Sequence, residues 1–288
     1  MSNKRLARLL GACLVVACGR DVEPARKELR ITARPEAAAS TRTMLRQDNS
    51  VAFADADKLA VFDGAAVKRE FVTSAVYNDG SADFMGSISE PADSYIAVYP
   101  DHNGCYLYGN YVHIVIPETQ AAVAGSFDPA ANISVGTTAS IAGDTHSLNL
   151  KNVCALLKFS VPEGQSYSTA ILVTMNDNMA GGMLCTLDDE PALYPADEGP
   201  SDFVTLQGSI TGGNWYYMAV KPDVLEGGFA LYLFDEQVSS DELEKFSMIK
   251  STSKTVTLQR SHILNLGIIG AEPGAAFEPL AGETILDW

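Results

Sequence analysis

The chain has 288 residues, enough for one large domain or two ordinary ones, and an apolar content of 47% can supply real cores. Its formal charge is −16, with 20 Lys and Arg against 36 Asp and Glu. That surface disfavours nucleic acid, whose binding depends on Lys and Arg displacing counterions, and suits a soluble, self-repelling exterior.

The N-terminus begins with Lys4, Arg5 and Arg8, followed by an apolar run from Leu9 to Ala17 that ends at Cys18. A basic head, a short apolar segment and a small residue before the cut describe a secretory signal peptide. The run is too short to span a bilayer, which takes about 20 apolar residues. The stretch Leu14-Val15-Val16-Ala17-Cys18 reads as a bacterial lipobox. It predicts acylation (palmitate) of Cys18 as the first mature residue and anchoring to an outer membrane. Cys13 also follows small residues, but a cut there leaves a very short apolar region. An ordinary signal peptide that happens to contain cysteine is the alternative. Cleavage at Cys18 removes Lys4, Arg5 and Arg8, leaving 17 basic residues against 36 acidic ones, or −19. Asp21 and Glu23 resemble the acidic export signals of Bacteroidetes surface lipoproteins. Three cysteines remain, Cys105, Cys154 and Cys185, so one disulfide at most is open and buried thiols are the simpler expectation. No Cys/His cluster has zinc spacing.

Residues 18–27 read as a polar tether containing Pro24. Leu29, Ile31 and Ala33 alternate with Arg30, Thr32 and Arg34, the two-residue period of a half-buried strand, and Pro35 ends it. Residues 36–50 are small and polar and hold Arg42 and Arg46, which predicts an exposed, cuttable loop. Strands are expected over 51–53, 59–62, 70–76, 82–88, 95–99, 106–108 and 113–116. The Ala-, Gly-, Ser- and Thr-rich stretch 117–145 is expected to be a long loop and domain boundary. A second series is expected over 148–160, 170–175, 183–187, 203–207, 215–220, 229–234, 255–258 and 263–269. Both faces of 229–234 are apolar, which predicts a central strand. Many short strands with Gly, Pro, Asn or Asp between them predict an all-β sandwich or barrel. No segment carries a sustained 3.6-residue period.

Asp144, His146 and Ser147 are adjacent, but a triad depends on geometry rather than sequence order. Asp188, Asp189 and Glu190, or Asp55 and Asp57, could offer oxygens to calcium, but read better as solvated acidic turns. Trp215, Tyr216 and Tyr217 could stack a sugar, but begin a strand and read better as core. No phosphate-binding loop, dinucleotide fingerprint or zinc-protease motif is present, and no cofactor or catalytic residue is predicted.

The chain resembles the fimbrillin family of Bacteroidales, which includes fimbrial subunits and tip proteins. The resemblance is carried by the lipobox, "TRTMLRQDNSVAFADADKLAVF", "YIAVYP", "SLNLKNVCALLKFSV", "WYYMAVKPDVLEGGFALYLF" and "ILNLGII", in that order over most of the mature chain. In one departure, Ala52, Phe53 and Asp55 stand where the family usually has Trp before an acidic pair. The resemblance implies two tandem transthyretin-like β-sandwich domains, Greek-key and mostly antiparallel. The corresponding division is a signal peptide at 1–17, a tether, first strand and cleavable loop at 18–50, an N-terminal domain at 51–145 that includes the strand at 29–33, and a C-terminal domain at 146–288. It also implies export as a surface lipoprotein, cutting by an arginine-specific protease and strand donation between fimbrial subunits. Arg46 and then Arg42 are the expected cut sites, because Arg34 precedes a proline. The expected donor is the tail, where Thr284, Leu286 and the final Trp288 alternate on one face; a final strand packed on its own domain is the alternative. The expected role is a structural or accessory fimbrial subunit. The alternative is a tip or free-standing adhesin that binds host protein or glycan.

Overall fold

The computed structural model describes residues 26–36, 53–175 and 177–270. Cys18, Arg42, Arg46, Thr284, Leu286 and Trp288 lie outside these residues.

Apart from one 3-10 turn, every regular element among the described residues is a strand. The described chain begins with β1 (Lys27–Pro35), β2 (Lys58–Phe62), β3 (Lys68–Val76), β4 (Ala82–Ile88) and β5 (Ile96–Tyr99). There follow β6 (Tyr106–Tyr108), β7 (Tyr111–Ile116), β8 (Thr119–Ala121), β9 (Ser134–Ala142), β10 (Thr145–Asn152) and β11 (Ala155–Ser160). Next come β12 (Ser166–Thr174), β13 (Ala180–Cys185), β14 (Leu193–Ser201), β15 (Phe203–Thr211), β16 (Trp215–Val220) and β17 (Asp223–Leu225). The series ends with β18 (Phe229–Phe234), a 3-10 turn at Ser240–Lys245, β19 (Met248–Thr252), β20 (Val256–Leu258) and β21 (Ile263–Ile268).

One sheet closes into a barrel in the order β1-β10-β9-β5-β2-β3-β4. The rest form a five-stranded sheet β19-β18-β12-β15-β8, a four-stranded sheet β14-β13-β7-β6, a three-stranded sheet β16-β11-β21 and a ribbon β17-β20. Pairing is antiparallel except at β1/β10, β11/β21 and β15/β8. As its two apolar faces predict, β18 is internal to its sheet, between β12 and β19.

The barrel interior is filled by Leu29, Ile31 and Ala33 of β1 with Leu59, Val61, Phe71, Phe84, Tyr99, Leu148 and Leu150. Phe53, just ahead of β2 and not itself in a strand, stands edge-on to Phe84 and Tyr99 with centroids 5.3 and 5.1 Å away. The alternate residues of β2 (Ala60 and Phe62), with Val98 and Val135, face outward into the larger core that the remaining sheets share. That is why β2 is buried on both faces.

The sheets partition the chain differently from a linear division at residue 145. Tyr106–Ala121 pairs with the later strands, through β7/β13 and β8/β15, while β9 and β10 close the barrel with β1 and β5. The run 148–160, expected as one strand, breaks at Val153 and Cys154. Asn152 causes the break: its side chain accepts from Cys154 N at 2.8 Å and donates to Asn132 Oδ1 at 2.6 Å. The stretch 117–145, expected as a loop, contains β8 and β9. Small residues suit β9 because it passes close to β10: a Cβ at Gly136 would lie 2.5 Å from the Asn149 carbonyl oxygen. β14 was hidden by Pro195 and Pro200, which are tolerated because it is an edge strand paired to β13 alone.

Candidate functional site

The site centres on β1. Its Leu29, Ile31 and Ala33 point inward and are at most 1% exposed, while Glu28, Arg30 and Arg34 point to solvent. Strand geometry makes this alternation automatic, and the β-branched Ile31 and Thr32 favour the extended backbone. β1 runs antiparallel to β4, with Ile31 opposite Phe84, and parallel to β10, with Ile31 opposite His146. It is joined to both neighbours only through distant parts of the chain. Without it, β4 and β10 would become open edges flanking an apolar slot.

Polar contacts fix the strand from outside. Asp83 of β4, almost fully buried, accepts from Thr32 Oγ1 at 2.6 Å and Tyr77 OH at 2.7 Å, and pairs with Arg30 Nε at 3.1 Å. Lys27 pairs with Asp144 at 2.5 Å, an exposed contact worth little.

The far end is tied more firmly. Arg260 grips Glu36 with both arms, Nη1 to Oε2 at 2.6 Å and Nη2 to Oε1 at 3.0 Å. Ser261 Oγ donates to Glu36 Oε2 at 3.2 Å, and Lys151 Nζ stands 3.7 Å from Oε1. Arg260 is steadied independently by the Asn152 carbonyl at 2.8 Å and by exposed Glu190 at 2.6 Å. Partial burial pushes the Glu36 carboxyl up, but the hydrogen bond and charge of Arg260, with Lys151 and Ser261, outweigh it and hold the group below its ordinary range. Beside this cluster an open cleft of about 660 Å³ is lined by Arg34, Glu36, Gly136, Lys151, Asp188 and Asp189, among others.

His146 points into the barrel against Tyr95, at 5.1 Å between centroids, with Nδ1 3.4 Å from Thr138 Oγ1. Ser147, its neighbour on a strand, points to the opposite face, and Asp144 is engaged with Lys27. The three do not form a triad. Tyr216 and Tyr217 are buried, as the core reading expected, and Lys158 Nζ lies over the Trp215 ring at 4.5 Å. Among the described residues no group of three or more His, Cys, Asp or Glu is placed to hold a metal, and Cys105, Cys154 and Cys185 are free and buried.

Sequence reasoning missed an aromatic face. Tyr106, Tyr108, Tyr111 and Tyr194 are 48%, 57%, 37% and 53% exposed. Pairing sets Tyr106 opposite His113, Tyr108 opposite Tyr111, and Leu184 opposite both His113 and Tyr194, so all lie on the outer face of one sheet. Tyr106 stacks on His113 at 4.3 Å. The readable signal was "YLYGNY", alternating tyrosines around a two-residue Gly-Asn turn. Arg260 and Glu36 gave no such signal, being 224 residues apart.

Among solved structures, the chain is similar to a candidate cell adhesion protein from Bacteroides uniformis, with TM-score 0.50 and 12% identity over 91% of this chain and 98% of that one. It is similar to another from Bacteroides ovatus, with TM-score 0.51 and 11% identity over 92% and 98%. The tip fimbrial protein Mfa3 from Porphyromonas gingivalis, C-terminally truncated, aligns at TM-score 0.36 and 12% identity over 84% and 94%. No family model and no curated protein matches the sequence. The first two likenesses establish a shared all-β fold, in agreement with the resemblance drawn from the sequence. No helix among the described residues is long and apolar enough to cross a membrane.

Proposed function

We propose that the protein is a structural or accessory subunit of a cell-surface fimbria, assembled by exchange of strands between subunits. The observation that carries this is β1. A short strand at the start of the described chain fills an apolar slot between two partners remote in sequence, and the segment that follows it in sequence carries Arg42 and Arg46. An arginine-specific protease cutting at Arg46, or at Arg42, would free the strand for replacement. The tail at Thr284, Leu286 and Trp288 supplies the extended donor for the next subunit. An open edge lined by apolar pockets recruits a strand, backbone bonds giving affinity and side chains specificity. In this reading Cys18 anchors the precursor to the outer membrane by its lipid, and stable anchoring follows from more than one acyl chain. The reading includes two transthyretin-like units, 51–145 with β1 and 146–288, with β10 going to the first and β6, β7 and β8 to the second. No catalysis is invoked.

The test is to express the protein in a native host, run the surface form on a gel with and without boiling, and sequence its N-terminus. Ladders that collapse on boiling, with a start at residue 43 or 47, are expected. A polymer that starts intact at Cys18 would sink the processing step.

The tyrosine face favours a second reading, a tip or free-standing adhesin for host protein or glycan. Aromatic rings that keep a flat face and a hydroxyl in water suit such contacts. Binding to a glycan array that is lost in Tyr108→Ala and Tyr194→Ala variants of unchanged melting temperature would support it.

A further inference from the structure

We propose that Arg260, Lys151 and the Ser261 hydroxyl form a carboxylate receptor at the end of the β1 slot, which selects and registers the strand that occupies it. The inference rests on the slot being replaceable. Its resident occupant is β1 itself, with Leu29, Ile31 and Ala33 inward and the Glu36 carboxylate three residues beyond the last of them.

The receptor is built without β1. Arg260 and Ser261 lie in the turn between β20 and β21, and Lys151 is on β10. Asn152 O and Glu190 hold the guanidinium, and Ser261 N donates to Cys154 O at 2.9 Å, so the turn keeps its place when the strand leaves. A planar fork on a carboxylate is the strong, geometrically specific form of ion pair. With Glu36 in place the Arg260 side chain is only 17% exposed.

The receptor answers a need that the slot leaves open. A one-residue slip turns Leu29, Ile31 and Ala33 outward and is forbidden by burial. A two-residue slip that seats Ile31, Ala33 and Pro35 in place of Leu29, Ile31 and Ala33 keeps the inward face apolar, because the side-chain period is two; the opposite slip would bury Lys27. The apolar slip moves Glu36 along the strand by about 6.6 Å, well outside hydrogen-bond reach of Arg260. Alternation chooses the face of the strand, and the carboxylate chooses its position along the slot.

The experiment uses the full chain with a sequence-specific protease site engineered between residues 37 and 52, cut after folding. Fluorescent peptides of residues 26–36 compete with the resident strand, one wild type and one carrying Glu36→Gln. The wild-type peptide is expected to bind about 10-fold tighter or more. The advantage should vanish on Arg260→Gln and shrink with salt. A photoreactive group in place of Arg30 should crosslink near Met85, its register partner, and spread toward Ser87 with Glu36→Gln. Equal binding of the two peptides with one shared crosslink overturns the receptor and leaves strand replacement standing. If neither peptide enters the cut protein, the replaceable slot fails, and the receptor role with it. Should Arg260→Gln fold poorly, the two-peptide comparison on the unaltered receptor decides alone.

Discussion

Ile31→Ala tests how the barrel is held shut. Ile31 is fully buried, lies midway along β1, and faces Phe84 on one side and His146 on the other. Truncating a buried Ile to Ala costs about 2–5 kcal/mol, the spread reflecting how far the site collapses. Phe84 is fixed by Phe53 and Tyr99, so little collapse is available and a value near 3 kcal/mol is expected. In the intact chain this appears as a lower denaturant midpoint with an unchanged slope. In the chain cut between residues 37 and 52 the same loss falls on retention of the strand. There, about 3 kcal/mol corresponds to on the order of 100-fold faster release, since affinity changes of this kind fall mainly on the off-rate. Release is followed by fluorescence of a dye on the strand's N-terminus. Glu28→Ala, on the exposed face, is the control and should move neither measurement beyond about 0.5 kcal/mol. The reasoning is refuted if Ile31→Ala and Glu28→Ala release the strand at the same rate.

Acid should loosen the same strand. Glu36 is held below its ordinary pKa of 4.5, so its contribution is complete above that value and is lost as pH falls below it; release from the cut chain should accelerate only there, and Glu36→Gln should abolish that acid limb. His102 behaves differently: burial, and then Lys68, lower its pKa from 6.5 to about 4, so the unfolded chain takes up the proton first and stability should decline from pH 6.5 to 4. His102→Gln should flatten that decline in pH-dependent melting curves. Burial pushes the thiols of Cys105, Cys154 and Cys185 up to about 12, so all three should resist alkylation at pH 8 until the protein unfolds, as read by peptide mass spectrometry. Gly181→Ala should cost about 2 kcal/mol or more in a denaturant titration, because φ is +87° and a Cβ would fall 1.7 Å from the Gly199 carbonyl oxygen.

Local features were legible in the chain of residues. Alternation in 29–33 placed β1 and its buried face, and the apolar run 229–234 placed an internal strand, because side chains along a strand report burial with a period of two. The all-β class followed from many short runs between turn residues. Where partners rather than local residues decide conformation, the sequence was silent or misleading. β9 is polar and small yet lies between β5 and β10, β14 carries two prolines yet survives at an edge, and 148–160 splits because Asn152 turns the chain between sheets. Tertiary structure alone set β1 between β4 and β10, closed the barrel, and brought Arg260 across 224 residues onto Glu36. The physical reason is that hydrogen-bond ladders and ion pairs between remote segments have no period along the chain, so only the folded arrangement of sheets selects which residues meet.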